Sequence, residues 1–234
     1  MDSQETPLFA YWLGVAQSDG HLWSGYVNKK KKPTFAAHLS LETGARSEKM
    51  MLTFAQLSRI LFGTKATIRT RWRHINEKTY SVRVFIIGLT RQLDQLDGIV
   101  FNKIEPPPKF SNIFLFGAYL AGVIDGDGSI KFRHLHKTSR GGAECEVIIT
   151  SGNEPLLLKE KIADYFLCRP NCKKLKRANA YNLIFYVSKR NNQLIKKYVV
   201  PHLQMPIKKE RLLWWCARYE ERPPIQAQGS ARPS

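Results

Sequence analysis

The chain is short of acid, short of cysteine and short of long apolar runs, and each shortage excludes something. Only 19 Asp and Glu stand against 37 Lys and Arg among 234 residues, leaving a formal net charge of +18. A field of that sign repels basic surfaces and gathers polyanions, so nucleic acid is the partner that the charge points to. The four cysteines, Cys145, Cys168, Cys172 and Cys216, are too few for a disulfide scaffold and read as reduced thiols of an intracellular protein. Three residues separate Cys168 from Cys172, and no second pair follows at zinc-finger spacing, which argues against a structural zinc. The longest apolar run, Ile113 to Ile124, is too short to span a bilayer, and no basic-then-apolar leader opens the sequence. The expectation is a protein neither secreted nor membrane-spanning, in a prokaryotic cytoplasm or an organelle. What is present suffices for a packed core: 43% of residues are apolar and 11% aromatic.

The sequence is written twice. "LAGVIDGDGSI" at residues 120 to 130 has a looser copy, "WLGVAQSDGHL", at residues 12 to 22. Setting Asp127 on Asp19 brings Ala10, Gly14 and Ser18 onto Ala118, Gly122 and Gly126, and Tyr11 onto Tyr119. Downstream, apolar periodicity predicts strands at His21 to Val27, Thr34 to Glu42, Ala66 to Arg73 and Thr79 to Ile87, with helices at Glu48 to Leu61 and Thr90 to Leu96. The second copy predicts strands at Ser129 to Leu135, Glu144 to Thr150, Lys173 to Ala178 and Tyr181 to Val187, with helices at Pro155 to Phe166 and Gln193 to Val199. "FNKIEPPPKFSN" divides the copies, because three successive prolines continue neither a helix nor a central strand. The expected organisation is an N-terminal half at 1–98, a Pro-rich linker at 99–110, a C-terminal half at 111–222 and a disordered tail at 223–234. A last helix, Lys208 to Tyr219, carries Leu212, Leu213, Trp214 and Trp215, read as a packing face.

Residues four apart share a helix face, so Ala10 and Gly14, like Ala118 and Gly122, make a smooth stripe on which a second helix backbone can come close. One stripe per copy predicts the two helices packed together about a pseudo-two-fold axis. Each stripe ends at an aspartate, Asp19 or Asp127, where the helix C-terminus already disfavours negative charge and the second carboxylate disfavours it further. A cation is expected there. Hard oxygen ligands suit Mg²⁺, which could activate water for phosphodiester cleavage. An EF-hand is excluded, because a loop starting at Asp125 would have Ile130 and His136 at the positions that need Gly and Glu.

In "ATIRTRWR", Arg69, Arg71 and Arg73 alternate with Ile68, Thr70 and Trp72, predicting one basic and one inward face; arginines at alternate positions favour phosphates and guanine edges. Lys131 and Arg133 alternate with Ile130 and Phe132, and His38, Ser40 and Glu42 with Leu39 and Leu41. "NKKKKP" places Lys29, Lys30 and Lys31 in a hairpin loop suited to phosphate binding, and "KKLKR" predicts a basic strand bearing Lys173, Lys174, Lys176 and Arg177. Trp23, Arg83 and Lys137 complete the set expected on DNA.

"LAGVIDGDG" resembles the motif that names the LAGLIDADG homing endonuclease family, differing at two of nine positions, and the chain to about Tyr219 fits the single-chain, two-motif form. "WLGVAQSDG" keeps Gly14, Asp19 and Gly20 but has Gln17 where the motif has its earlier aspartate. The resemblance implies an α+β fold of two pseudo-symmetric αββαββα halves, with helices packed on two antiparallel four-stranded sheets that form a DNA-binding saddle. It implies Asp19 and Asp127 as catalytic metal-binding acids, with the carbonyls of Ser18 and Gly126 as further ligands for Mg²⁺, for which Mn²⁺ or Ca²⁺ could substitute. Basic catalytic residues follow the fourth strand in the family; Arg91 matches in the first half, and Lys189 and Arg190 both fit in the second. The implied activity is that of a monomeric site-specific endonuclease straddling the major groove of double-stranded DNA and leaving staggered ends. The alternative is an intron maturase that uses the same scaffold on its host intron RNA. A regulator on a degenerate form of the fold ranks below both, since it would more often have lost an acid. An intein is not expected, for lack of an initiating Cys or Ser and a terminal His-Asn pair.

Overall fold

The computed structural model describes residues 5–29, 32–43, 47–75, 77–101, 103–135, 142–176 and 178–220. Lys30, Lys31, Lys137, Arg177 and the expected tail lie outside the described residues, and of Lys29 only the backbone is described.

Two apolar helices form the middle. In α1 (Pro7–Asp19) the Thr6 hydroxyl accepts from the Phe9 amide at 3.2 Å, and Pro7 presets the first turn; in α3 (Ile113–Asp127) the Asn112 side chain accepts from the Leu115 amide at 2.9 Å. Every residue from Phe9 to Gln17 and from Leu115 to Asp125 is buried, as befits helices wrapped on all sides. The two cross at their glycines. A β-carbon on Gly14 would lie 2.2 Å from the Tyr119 carbonyl oxygen, and one on Gly122 would lie 2.2 Å from that of Tyr11, so no larger residue fits either place. Ala10 and Ala118 are fully buried in the same helices.

Each helix runs straight into a sheet. The first sheet has the order β1 (Gly20–Lys29), β2 (Lys32–Thr43), β4 (Lys78–Gly88), β3 (Thr67–Ile75); the second has β5 (Gly128–Leu135), β6 (Gly142–Ser151), β8 (Tyr181–Val187), β7 (Asn171–Lys174), all antiparallel. The fold is therefore α+β in two pseudo-repeated halves. On one face Leu39, Leu41, Phe85 and Ile87, and in the second sheet Val147, Ile149, Leu183 and Phe185, are buried in the common core. Two further helices, α2 (Glu48–Phe62) and α4 (Leu156–Phe166), contribute Met50, Phe54, Leu158 and Ile162 to it. Trp12 ties α1 to α2, stacking on Phe54 and donating its indole N–H to Ser58 Oγ at 2.8 Å. At the end of α2, Gly63 takes the left-handed conformation and returns its amide to the Arg59 carbonyl.

The halves differ after their fourth strands. The second continues into α5 (Asn192–Tyr198) and α6 (Pro206–Glu220). The first has no full helix at Thr90 to Leu96: the segment makes a turn and a single 3₁₀ turn at Asp94–Leu96, with the Gln92 amide bonded only three residues back to Leu89, and the left-handed Gly98 follows. The expected basic strand at Lys173 to Ala178 is also shorter. Pairing stops at Lys174; beyond it the Leu175 amide bonds to the Ala180 carbonyl, and Lys176 is exposed. Nor is the helix-side face of β3 buried. Ile68 is 50% and Trp72 is 65% exposed, since this edge strand runs beyond the cover of the helices. In α6, Leu212 and Trp215 pack inward while Leu213 and Trp214 are exposed, as helical spacing dictates for four consecutive residues.

Candidate metal centre and nucleic-acid interface

Cross-strand register defines what the open face of each sheet carries. In the first sheet Trp23 sits opposite His38, and Glu42, Val84 and Arg69 form one row, so His38, Ser40, Glu42, Arg69, Arg71 and Arg73 share a face turned away from the core. Trp23 stacks on His38 with ring centroids 5.0 Å apart. Glu42 is gripped by two arginines: Arg71 Nη1 donates to Oε1 at 3.0 Å, and Arg73 bonds to Oε2. In the second sheet Ser129, Lys131 and Arg133 alternate with the inward Ile130 and Phe132, and Arg133 Nε lies 2.8 Å from Glu146, whose side chain is 1% exposed. Lys173, opposite Asn182, shares this open face.

Two basic residues expected here stand elsewhere. Arg83 pairs in register with Thr70 and Thr43, which puts it on the helix side of the sheet, where it forms an ion pair with Glu48 of α2. Lys174, opposite Tyr181, is likewise on the helix side, its ammonium 5.9 Å from the Tyr181 ring. Both sit one residue out of phase with the open face, and in a sheet one residue is a change of side.

The C-termini of α1 and α3 lie side by side, and this brings the acids together. A β-carbon on Gly126 would lie 2.0 Å from Ser18 Oγ and 3.3 Å from Asp19 Oδ2, so the absence of a side chain at Gly126 makes room for both. The Ser18 hydroxyl donates back to the carbonyls of Gly14 (2.9 Å) and Val15 (3.2 Å). Burial pushes the Asp19 carboxyl up to about 6; burial and then the nearby Asp19 push Asp127 up to about 7. The cation acting on both is Lys208 of α6, which pulls their pKa values down. Its own pKa is lowered by burial, against the pull of Asp125, Asp19 and Asp127. The ammonium donates to the carbonyls of Ile124 (2.6 Å), Asp125 (2.7 Å) and Gly126 (3.3 Å). Lys208 gave no signal in the sequence, since its partners lie more than eighty residues away and meet it only when α6 folds back over the end of α3. Arg91, Lys189 and Arg190 are exposed in the turns after β4 and β8.

Two residues before each of these helix ends, a polar side chain locks the crossing. Asp125 Oδ2 accepts from the Tyr11 hydroxyl (2.9 Å) and from the amides of Gln204 (2.6 Å) and Met205 (3.3 Å). Burial raises its pKa, while the Gln204 and Tyr11 bonds and Lys208 oppose the rise. Gln17, its counterpart, accepts from the Tyr119 hydroxyl (2.6 Å) and the Glu105 amide (3.1 Å), and donates to the carbonyls of Val100 (2.6 Å) and Glu105 (3.1 Å). Sequence reasoning aligned the two tyrosines but did not find that each reaches across to the other half.

Among the described residues no three His, Cys, Asp or Glu side chains cluster as a metal site. A cation between the helix ends would be held by two carboxylates, main-chain carbonyls and water. The donor set fits a hard divalent ion: it is all oxygen, and the two acids are held where ionising both without a counter-charge is costly.

Two adjoining helices that end in acids, each leading into a sheet with an open polar face, make the fold of the single-chain LAGLIDADG homing endonucleases. No protein-family model matches the chain, and no curated protein does. Solved structures do. The I-SmaMI LAGLIDADG homing endonuclease bound to cleaved DNA superposes with a TM-score of 0.55 at 13% identity, over 92% of this chain and 89% of that one. I-SmaMI bound to an uncleaved DNA target in the presence of calcium ions gives 0.55 at 15%, over 92% and 90%. LAGLIDADG homing endonuclease I-GzeII in complex with its DNA target gives 0.55 at 11%, again over 92% and 90%. At such identities the likeness is one of fold. Among the described residues no helix is long and apolar enough to cross a membrane.

Proposed function

We propose that the protein is a site-specific double-strand DNA endonuclease that works as a monomer with a divalent cation, Mg²⁺ in the first place, and leaves a staggered break. The observation that carries this reading is the placing of Asp19 and Asp127 at adjoining helix ends, both with raised pKa, between two sheets whose open faces carry Arg69, Arg71, Arg73, Lys131, Arg133 and Lys173. The bound cation would supply Lewis acidity, lowering the pKa of an attacking water and stabilising the leaving oxygen. Asp19 and Asp127 would hold it, with the carbonyls of Ser18 and Gly126. Arg91 in one half and Lys189 or Arg190 in the other stand at matching turns, from which a long basic side chain can meet a phosphate. The arginine and lysine rows set the duplex across both sheets, with Trp23, His38, Ser40 and Glu42 among the groups facing base edges.

The test is an in vitro cleavage selection on a randomised target library with Mg²⁺, comparing the wild type with Asp127→Asn. A single recovered target class that the wild type cuts in both strands, and the variant binds within an order of magnitude yet leaves intact, is the expected result. Cutting by Asp127→Asn would show the acids to be misassigned. Acceleration of host-intron splicing by a protein that cuts no target would replace the nuclease with a maturase.

A further inference from the structure

The two helix ends at the centre are closed by different means. At the end of α1 the Ser18 hydroxyl turns back onto the carbonyls of Gly14 and Val15. At the end of α3 an ammonium does the work: Lys208 Nζ lies within hydrogen-bond distance of the successive carbonyls of Ile124, Asp125 and Gly126. The residue comes from α6, which has no counterpart among the described residues of the first half, and α6 is anchored independently: Trp215 donates to the Val187 carbonyl at 2.7 Å, and Arg211 to that of Ile130 at 2.9 Å. A positive charge at a helix C-terminus is favourable in itself. Here it also stands among Asp19, Asp125 and Asp127 and bonds to the Gly126 carbonyl, one of the oxygens assigned above to a divalent ion.

The geometry points to Lys208 as a built-in counter-ion and positioning residue, which holds the last turn of α3, and with it Asp127, in place without metal and competes with a divalent cation for the Gly126 carbonyl. The inference rests on the metal-dependent reading of the centre. It makes the two ends unequal. A cation meets only a hydroxyl turned away at Ser18, but must displace an ammonium, or share the space with it, at Gly126. Lys208 touches no reacting atom in this scheme and acts through α3.

The test uses the full chain without DNA, so it is independent of cleavage. Ca²⁺ binding is followed by calorimetry, and the melting temperature is measured in chelator and in millimolar Ca²⁺, for the wild type, Lys208→Met and Lys208→Gln. Both variants should melt several degrees lower in chelator, regain most of that loss in Ca²⁺, and bind Ca²⁺ on the order of tenfold more tightly than the wild type, since a cation has left the seat. The glutamine variant keeps two donors without the charge and carries the affinity comparison if the methionine variant does not fold. Equal or weaker Ca²⁺ binding by the variants, whatever their melting temperatures, overturns the proposal while leaving the metal-dependent reading intact. Absence of Ca²⁺ binding in all three proteins overturns both.

Discussion

Tyr119 donates its hydroxyl to Gln17 Oε1 at 2.6 Å, across the junction of the two halves. The groups around Gln17 are mixed: besides this hydroxyl and the Glu105 amide, two carbonyls, of Val100 and Glu105, need a donor. Around Asp125 the groups are uniform, a hydroxyl and two amides, all donors. An amide suits the first environment and a carboxylate the second. The departure of "WLGVAQSDG" from the motif is therefore matched to the segment packed against it.

Gln17→Asp, which would restore the more usual letter, is expected to destabilise the protein. A carboxylate offers no donor to the Val100 and Glu105 carbonyls, and leaving such groups buried and unbonded costs about 2–3 kcal/mol, a fall of roughly 4–12 °C in melting temperature for a chain of this size. Calorimetry of the variant decides it; an unchanged melting temperature would mean that the bonds to residues 100 and 105 carry no weight.

The acids predict a pH dependence of inverted sign. In the folded protein Asp19 and Asp127 titrate at about 6 and about 7, above the 3.8 of an unperturbed carboxyl, so between these values the folded state holds more protons than the unfolded one. Their contribution is harmless below about pH 4 and destabilising once pH has risen through about 7. In chelator the melting temperature should fall from about pH 5 to about pH 8, and millimolar Ca²⁺ should restore more at the upper end. Asp127→Asn should flatten the profile and melt several degrees higher than wild type near pH 8, giving up the proposed chemistry for stability. A variant with the wild-type slope would refute this assignment.

Glu42 holds Arg71 and Arg73 on the open face of the first sheet. If that face meets DNA, Glu42→Ala frees two guanidiniums for phosphates. Affinity for non-cognate duplex should then rise, with a steeper salt dependence, by about one ion for each new contact, while the ratio of cognate to non-cognate binding falls. Titrations of both duplexes at several salt concentrations measure each quantity; an unaltered salt slope would place Glu42 and its arginines away from the phosphates.

The features most legible in the sequence were those set by local spacing. Ala10, Gly14, Ala118 and Gly122 recur every fourth residue, and period-two alternation put Leu39 and Leu41 inside with His38, Ser40 and Glu42 outside. Arg83 was misjudged because alternation gives two faces without saying which one a strand of mixed composition turns inward. Trp72 was misjudged because its exposure depends on how far α2 extends over an edge strand, which no local pattern records. Lys208 was out of reach for a related reason: a lysine near the start of a helix is ordinary until the helix is folded over another one's end.

The crossing of α1 and α3 also bears on how such a chain must be made. α1 is apolar on every side, and one of its walls is α3, which is complete only at Asp127. The N-terminal half can cover one side of α1 with α2 and its own sheet, but the side that meets α3 stays bare until Asp127 has been made. A cut between the copies would leave each fragment with one bare helix face. The two repeats are thus a single folding unit, and the polyproline segment that joins them keeps the missing wall within reach.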